Sequence, residues 1–469
     1  MLDGRKIMCY HGIVNRKEVH RKICKPSVGN TDKGRKIRMK KKVIAILMAT
    51  AMVAAMAGCG NNDTPASSSD NSSSTQSSEA SKEDNSGTTE VTDVTLKVWV
   101  PNNQVDTGII DEQEKAFAAA HPEWNIKWVT EIVGDDTAKT ELLKDVDAGA
   151  DVFMFASDQL LEMVDAGAIA QLGGEAEKMV QETIDESVRA TAMAGDETYA
   201  IPYTHNTFFM YYDKSIMSDD DITSLEKIMA KDTADNVYNF YFESAGGWKL
   251  GAYYYGAGLT VFGPEGNDLS VGCDWNNATG YAVTNYLIDL INNPKCAYDG
   301  EISVSELIAD HRLGVWFDGA WNYNMYADAL GDDLGMAILP TFNPDGNDYQ
   351  LKGFYSSKCI GVNAHSKNMA AAVAFATFLG NEENQLLRFE KSAQVPANIN
   401  AAANEKVTSD PLSAVIAQEA SEASVMQPTH TTFSSRYWTY ANAIPTEIRS
   451  GDLNKNNIQD KLDTFVASM

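Results

Sequence analysis

Tyr199-Ala-Ile-Pro-Tyr-Thr-His-Asn-Thr-Phe-Phe-Met-Tyr-Tyr-Asp213 follows a turn signal, Ala194-Gly-Asp-Glu197. The stretch is apolar, aromatic and β-prone, yet Pro202 and the polar run Thr204-His-Asn-Thr207 interrupt it. A central strand accommodates neither a proline nor a polar tetrad, so two short strands joined by an exposed crossing fit better. Two readings stand. One is an edge strand with a kink; the other is a hinge between two lobes, with Asn206 facing a cleft.

The chain around this stretch is long enough for two lobes. Its 469 residues exceed what one core holds. The formal charge of -27 is unevenly spread. Residues 1–42 carry 14 Lys and Arg against 3 acids, whereas residues 59–469 carry 24 against 62. So acidic a body argues against nucleic acid and against docking by charge on anionic lipid. Cys9, Cys24, Cys59, Cys273, Cys296 and Cys359 form no CxxC pair. Neither a zinc site nor a disulfide framework is expected, although a single Cys273–Cys296 bridge stays open.

Met39-Lys-Lys-Lys precedes an uncharged run, Val43–Ala57, which is short for a membrane span but suits a signal-peptide core. It ends Met56-Ala-Gly-Cys59, which resembles a bacterial lipobox, and this resemblance implies lipidation of Cys59. Residues 1–38 then read as a spurious N-terminal extension and 39–58 as the signal peptide. Asn61–Thr92, rich in Ser, Asn, Asp, Glu and Thr, lacks the apolar content to order itself, so 59–93 reads as a lipidated Cys and tether.

Val94-Thr-Leu-Lys-Val-Trp-Val100 alternates as a strand does, and helical spacing follows over Ile109–Ala120. Trp124–Val129, Thr137–Ala148, Asp151–Phe155 and Gln159–Ala166 continue strand, helix, strand, helix. That order predicts an α/β fold with a parallel sheet, with ligands beyond the carboxyl ends of its strands. Neither Pro101–Asp106 nor Phe155–Asp158 carries a phosphate-binding glycine loop, which disfavours a nucleotide. Further on, Phe240–Tyr255 reads as an aromatic-rich helix start, Asn276–Asn292 as an amphipathic helix and Leu313–Phe317 as a strand ending in a turn.

Several segments in order resemble the maltose/maltodextrin-type extracellular solute-binding proteins (family 1) of ABC sugar transporters. They are Ala148-Gly-Ala-Asp-Val-Phe-Met-Phe-Ala-Ser-Asp158, Val164–Leu172, Tyr199-Ala-Ile-Pro202 and Tyr211-Tyr-Asp-Lys214. Asp318-Gly-Ala-Trp-Asn322, Gly335–Pro340, Phe354–Asn363, Gln394-Val-Pro396 and Arg436–Ala443 extend the match over roughly 94–469. The resemblance implies a two-lobed periplasmic-binding-protein fold of type II. Its N-terminal lobe would be 94–205 plus 353–395, and its C-terminal lobe 206–352 plus 396–469. The chain would cross between lobes three times, near Thr204–Asn206, Lys352–Gly353 and Val395–Asn398, and would close like a hinge.

The same resemblance implies a carbohydrate ligand, of the maltodextrin or a related class, passed to membrane permease subunits by a monomer that needs neither cofactor nor metal. It places Trp321, Trp438 and Trp248 as sugar platforms, with Phe155 where the family often has Trp. It places Asp158, Asn206, Asn103, Gln104 and Gln159 as polar contacts, and Tyr203 and Tyr437 farther out. Aromatic faces suit sugar C–H surfaces, while amides and carboxylates suit hydroxyls. Asn206, Asn103, Gln104 and Gln159 replace charged residues of the family, which leaves the sugar open. Two alternatives remain: the same fold with a peptide or polyamine, and a secreted glycoside hydrolase, whose two carboxylates the 62 acids of the body could supply, although the HExxH and GxSxG motifs of other hydrolases are absent.

Overall fold

The computed structural model describes residues 91–299 and 303–469. The readings on 1–38, on the signal peptide, on Cys59 and on the tether up to residue 90 lie outside these residues.

Two sheets organise the chain. In the first, Thr92–Val100 lies between Trp124–Ile132 and Val152–Ala156, parallel to both. Alternation drives this placement: Val94, Leu96, Val98 and Val100 point to one face and are buried, while Thr95 stays exposed. Val152–Ala156 pairs in turn, antiparallel, with the long strand Gly353–Val362. All ten residues of that strand are buried, although Ser356, Ser357 and Lys358 are polar. The polar trio stays satisfied because the strand there borders other hydrogen-bonding segments: Ser356 meets Asn206, and Ser357 meets Thr191.

The second sheet runs in the order Leu334–Ala337, Phe209–Asp213, Leu313–Asp318, Tyr238–Phe242, Cys296–Tyr298. Phe209–Asp213 is antiparallel to both neighbours, and the remaining pairs are parallel. Each sheet has its own apolar core. The larger one, under the second sheet, includes Trp275 stacked on Tyr254 at 3.8 Å between ring centres.

The stretch Tyr199–Asp213 joins the two sheets. Ala200–Asn206 pairs antiparallel with Gly353–Val362 in the first sheet, and Phe209 begins the strand in the second. Pro202 has a strand partner on one side only, Cys359, so its missing N–H leaves no ladder bond unmade. The edge-strand reading and the crossing reading therefore describe the same residues. Thr204 pairs with Lys358 on one side and bridges Pro396 on the other, and its hydroxyl donates to the Val395 carbonyl at 2.7 Å. Three chain segments thus run side by side at this level.

Two local expectations change. Phe240–Tyr255 is a strand, Tyr238–Phe242, followed by a helix, Gly247–Gly256. The two are separated at Glu243–Gly246, and the helix begins at Gly247, where the Asn442 backbone packs too close for a side chain. A Cβ on Gly247 would lie 2.8 Å from the Asn442 backbone nitrogen. Cys273 and Cys296 are buried free thiols within the larger core, not a bridge.

Candidate functional site

A cleft of about 900 Å³ opens between the two sheets. One wall comes from the carboxyl ends of the three parallel strands. Val100 is followed by the short helix Asn102–Asp106, Ile132 leads to Asp135 and Asp136, and Ala156 leads to Asp158 and Gln159. The floor is Asn206 and Lys358 from the paired strands. The opposite wall carries Trp248, Trp321, Gln427, Ser434 and Trp438.

Each indole is held by its own local device. Trp248 begins the helix Gly247–Gly256, whose first N–H donates to the Asn442 side chain at 2.9 Å. Its indole N–H donates to Gln427 Oε1 at 3.0 Å, and its ring meets Phe208 edge-on at 4.7 Å. Trp321 lies in the turn after Leu313–Asp318. Asp318, buried, fixes that turn by accepting from Gly319 N at 2.9 Å, from Asn322 Nδ2 at 2.8 Å and from the Tyr326 hydroxyl. Gly319 is required because a Cβ there would sit 2.0 Å from the Trp321 ring. The Trp248 and Trp321 rings are 5.8 Å apart and tilted by 36°. Trp438 lies on the helix Thr431–Ala441, edge-on to Phe433 and Tyr437 in the core.

Helix spacing then sets a pair of contacts across the cleft. Ser434 and Trp438 are four residues apart and share one helix face, as do Asp158 and Glu162 opposite them. Trp438 Nε1 donates to Asp158 Oδ2 at 3.1 Å, and the Ser434 hydroxyl donates to Glu162. Lys139 completes the set with an ion pair to Glu162 at 2.9 Å. A second cation, Lys358, pairs with Asp135 at 2.6 Å and lies 4.6 Å from the Trp321 ring centre.

Burial shapes the acidity here. Asp158 is pushed up to about 6 by burial, against the opposing pull of the Trp438 N–H and of Lys139. Asp136 is also raised, by burial and then by the neighbouring Asp135. Neither carboxylate has a Lys or Arg ion-pair partner among the described residues, because Lys139 and Lys358 are engaged elsewhere.

Seven of the expected residues line the cleft: Trp248, Trp321, Trp438, Asp158, Asn206, Asn103 and Gln159. Both ends of the Gln159 amide are engaged within the wall: Oε1 accepts from Lys139 N at 2.9 Å and Nε2 donates to the Asp135 carbonyl at 2.6 Å. It holds the 135–139 loop in place.

Four expected residues lie in cores instead. Phe155 is fully buried beside Phe153, because its strand is covered on both faces, Val152 and Met154 facing one core and Phe153 and Phe155 another. Gln104 is fully buried and bonded to Gln394 and Arg388, since the Asn102–Asp106 helix turns it inward. Tyr203 lies under the Arg388 guanidinium, 4.9 Å from its ring centre. The Tyr437 hydroxyl donates to the Gly247 carbonyl at 3.0 Å, one helix position away from the cleft-facing Trp438.

The cleft also holds residues that the sequence reading passed over: Lys358, Gln427, Asp135, Asp136, Lys139 and Ser434. Lys358 left a signal, a charge inside an otherwise apolar β-run. Gln427 left none, since Met426-Gln-Pro428 reads as ordinary loop. No group of three or more His, Cys, Asp or Glu among the described residues could hold a metal ion.

Residues 113–415 match the bacterial extracellular solute-binding protein family. The chain belongs to that family. Among relatives of this solute-binding protein, the galactooligosaccharide-binding protein of Bacillus subtilis is 26% identical over 384 residues, 77% of this chain and 82% of that one. A maltooligosaccharide ABC transporter solute-binding lipoprotein of Streptococcus pneumoniae is 26% identical over 359 residues, 72% and 80% of the two chains. A solved structure with acarbose is 38% identical, covers 80% of this chain and 98% of its own, and superposes with a TM-score of 0.75. The maltodextrin-binding protein of L. casei without ligand is 26% identical, with the same coverage and a TM-score of 0.68. The two-lobed mixed α/β fold is shared with these proteins.

Proposed function

We propose that this solute-binding protein captures an oligosaccharide of the maltodextrin or a related class and hands it to a membrane permease. The observation that carries the reading is the presence of three half-buried indoles, Trp248, Trp321 and Trp438, on one wall of a 900 Å³ cleft. The facing wall is rich in carboxylates and amides. Flat apolar faces opposite hydroxyl acceptors suit a glycan better than a compact charged solute. The names of the relatives support the same class.

In this reading the lobes are 94–205 plus 353–395 and 206–352 plus 396–469, and they bend about the crossings near Thr204–Asn206, Lys352–Gly353 and Val395–Asn398. Sugar binds one lobe, the other closes, and excluded water strengthens each polar contact. No covalent step is involved, and the protein acts as a monomer. A lipid on Cys59 holds it at the outer face of the membrane, where the tether raises its concentration at the permease.

One observation favours a second reading. Asp106, Asp135, Asp136 and Asp158 line the cleft against only Lys139 and Lys358, so an amine-bearing solute would gain from the excess of negative charge. A thermal-shift screen of residues 60–469 against maltooligosaccharides, galactooligosaccharides, peptides and polyamines decides between them, because a ligand of the native state raises Tm. A shift confined to one glycan series is expected. Shifts with polyamines or peptides alone would overturn the sugar reading.

A further inference from the structure

Gln427 is only 3% exposed, yet it lines the cleft. Its backbone is fixed: Ser424–Met426 runs parallel to Gly353–Tyr355, and Gln427 N donates to the Tyr355 carbonyl at 2.9 Å. The next residue, Pro428, is pressed against Gly266, where a Cβ would come within 2.6 Å of the proline ring. The side chain is fixed as well, because Oε1 accepts the Trp248 indole N–H at 3.0 Å. A carboxamide is planar, so committing the oxygen also fixes the direction of the NH₂ group. That group makes no hydrogen bond to any described residue. Although the residue as a whole is buried, this nitrogen keeps solvent contact at the cleft, where an incoming acceptor can reach it.

We propose that Gln427 is a ligand-contacting and positioning residue. Its oxygen sets the orientation of the Trp248 platform, and its NH₂ donates to an oxygen at the edge of the unit stacked on that platform. The site then demands an acceptor, a hydroxyl or a glycosidic oxygen, at that edge. This rests on the oligosaccharide reading and adds a specificity element to it. It also links the platform to the long strand Gly353–Val362 through a single residue.

The test is calorimetric titration of maltotetraose into the unmutated protein, Q427E and Q427M from pH 8 to pH 5, with circular dichroism to verify folding. The carboxylate in Q427E still accepts the indole N–H but donates nothing at pH 8. Its Kd is expected to exceed that of the unmutated protein by roughly ten- to a hundredfold there. The ratio of the two should shrink as pH falls, because protonation restores a donor. Q427M should bind weakly with no such recovery; if it fails to fold, Q427E decides alone. A ratio within twofold at pH 8, or one that ignores pH, overturns the assignment while leaving the sugar reading intact. If the unmutated protein itself binds no glycan, both fall together.

Discussion

Replacing Asp158 by Asn should make the protein more stable and a poorer receptor. Burial holds this carboxyl at about 6 against an ordinary 3.8. The folded state therefore takes up the proton before the unfolded state does. Stability contributed by this group is full below the unfolded value, declines as pH rises from about 4 to about 6, and stays low above that. At 1.36 kcal/mol per pH unit the cost at pH 7 is about 3 kcal/mol, and D158N removes most of it while Oδ1 still accepts the Trp438 N–H. A gain of about 1–3 kcal/mol in urea unfolding at pH 7 is the expected result, fading toward pH 4. Sugar binding moves the other way. If a hydroxyl donates to the ionised carboxylate, binding requires deprotonation, and only about a tenth of the molecules are ionised at pH 5. The Kd of the unmutated protein for maltotetraose should then rise roughly tenfold between pH 7 and pH 5, while that of D158N stays nearly flat. Titrations at pH 5, 6 and 7 with both proteins check this. A destabilised D158N, or a pH dependence that survives the substitution, would refute the argument.

Trp321→Ala and Trp438→Ala should each weaken glycan binding by about 1–3 kcal/mol, on the scale of base–aromatic stacking, with melting temperatures little changed; unfolding of either variant would place that ring in the core. Gly319→Ala should reproduce most of the Trp321→Ala loss. Its φ of -96° is open to any residue, so the effect is steric displacement of the indole and is read as weaker binding with an unchanged Tm. Phe155→Ala should behave in the opposite manner, losing about 3–5 kcal/mol of stability in denaturant unfolding while the remaining folded protein binds glycan normally.

How far the sequence could carry these conclusions depends on the kind of signal each residue leaves. Strand alternation at Val94–Val100 and the broken strand at Pro202–Thr207 are local patterns, and the structure places both where those patterns put them. Trp321 was legible because Asp318-Gly-Ala precedes it: the acid caps a turn and the glycine makes room for a ring, which are requirements of the turn itself. Phe155 and Tyr437 failed because position along a strand or helix does not say which face meets the cleft. Tyr437 and Trp438 are neighbours in sequence, yet one is core and the other faces the opposite lobe. Gln104 failed for the same reason, since rotation along a five-residue helix separates it from the cleft-lining Asn103 and Asp106. Gln427 was beyond reach because its role exists only through Trp248, 179 positions away. A cleft built from strand ends and returning helices therefore announces an indole such as Trp321, whose turn leaves a local pattern. It conceals the polar partners, whose meaning depends on side chains brought from distant parts of the chain.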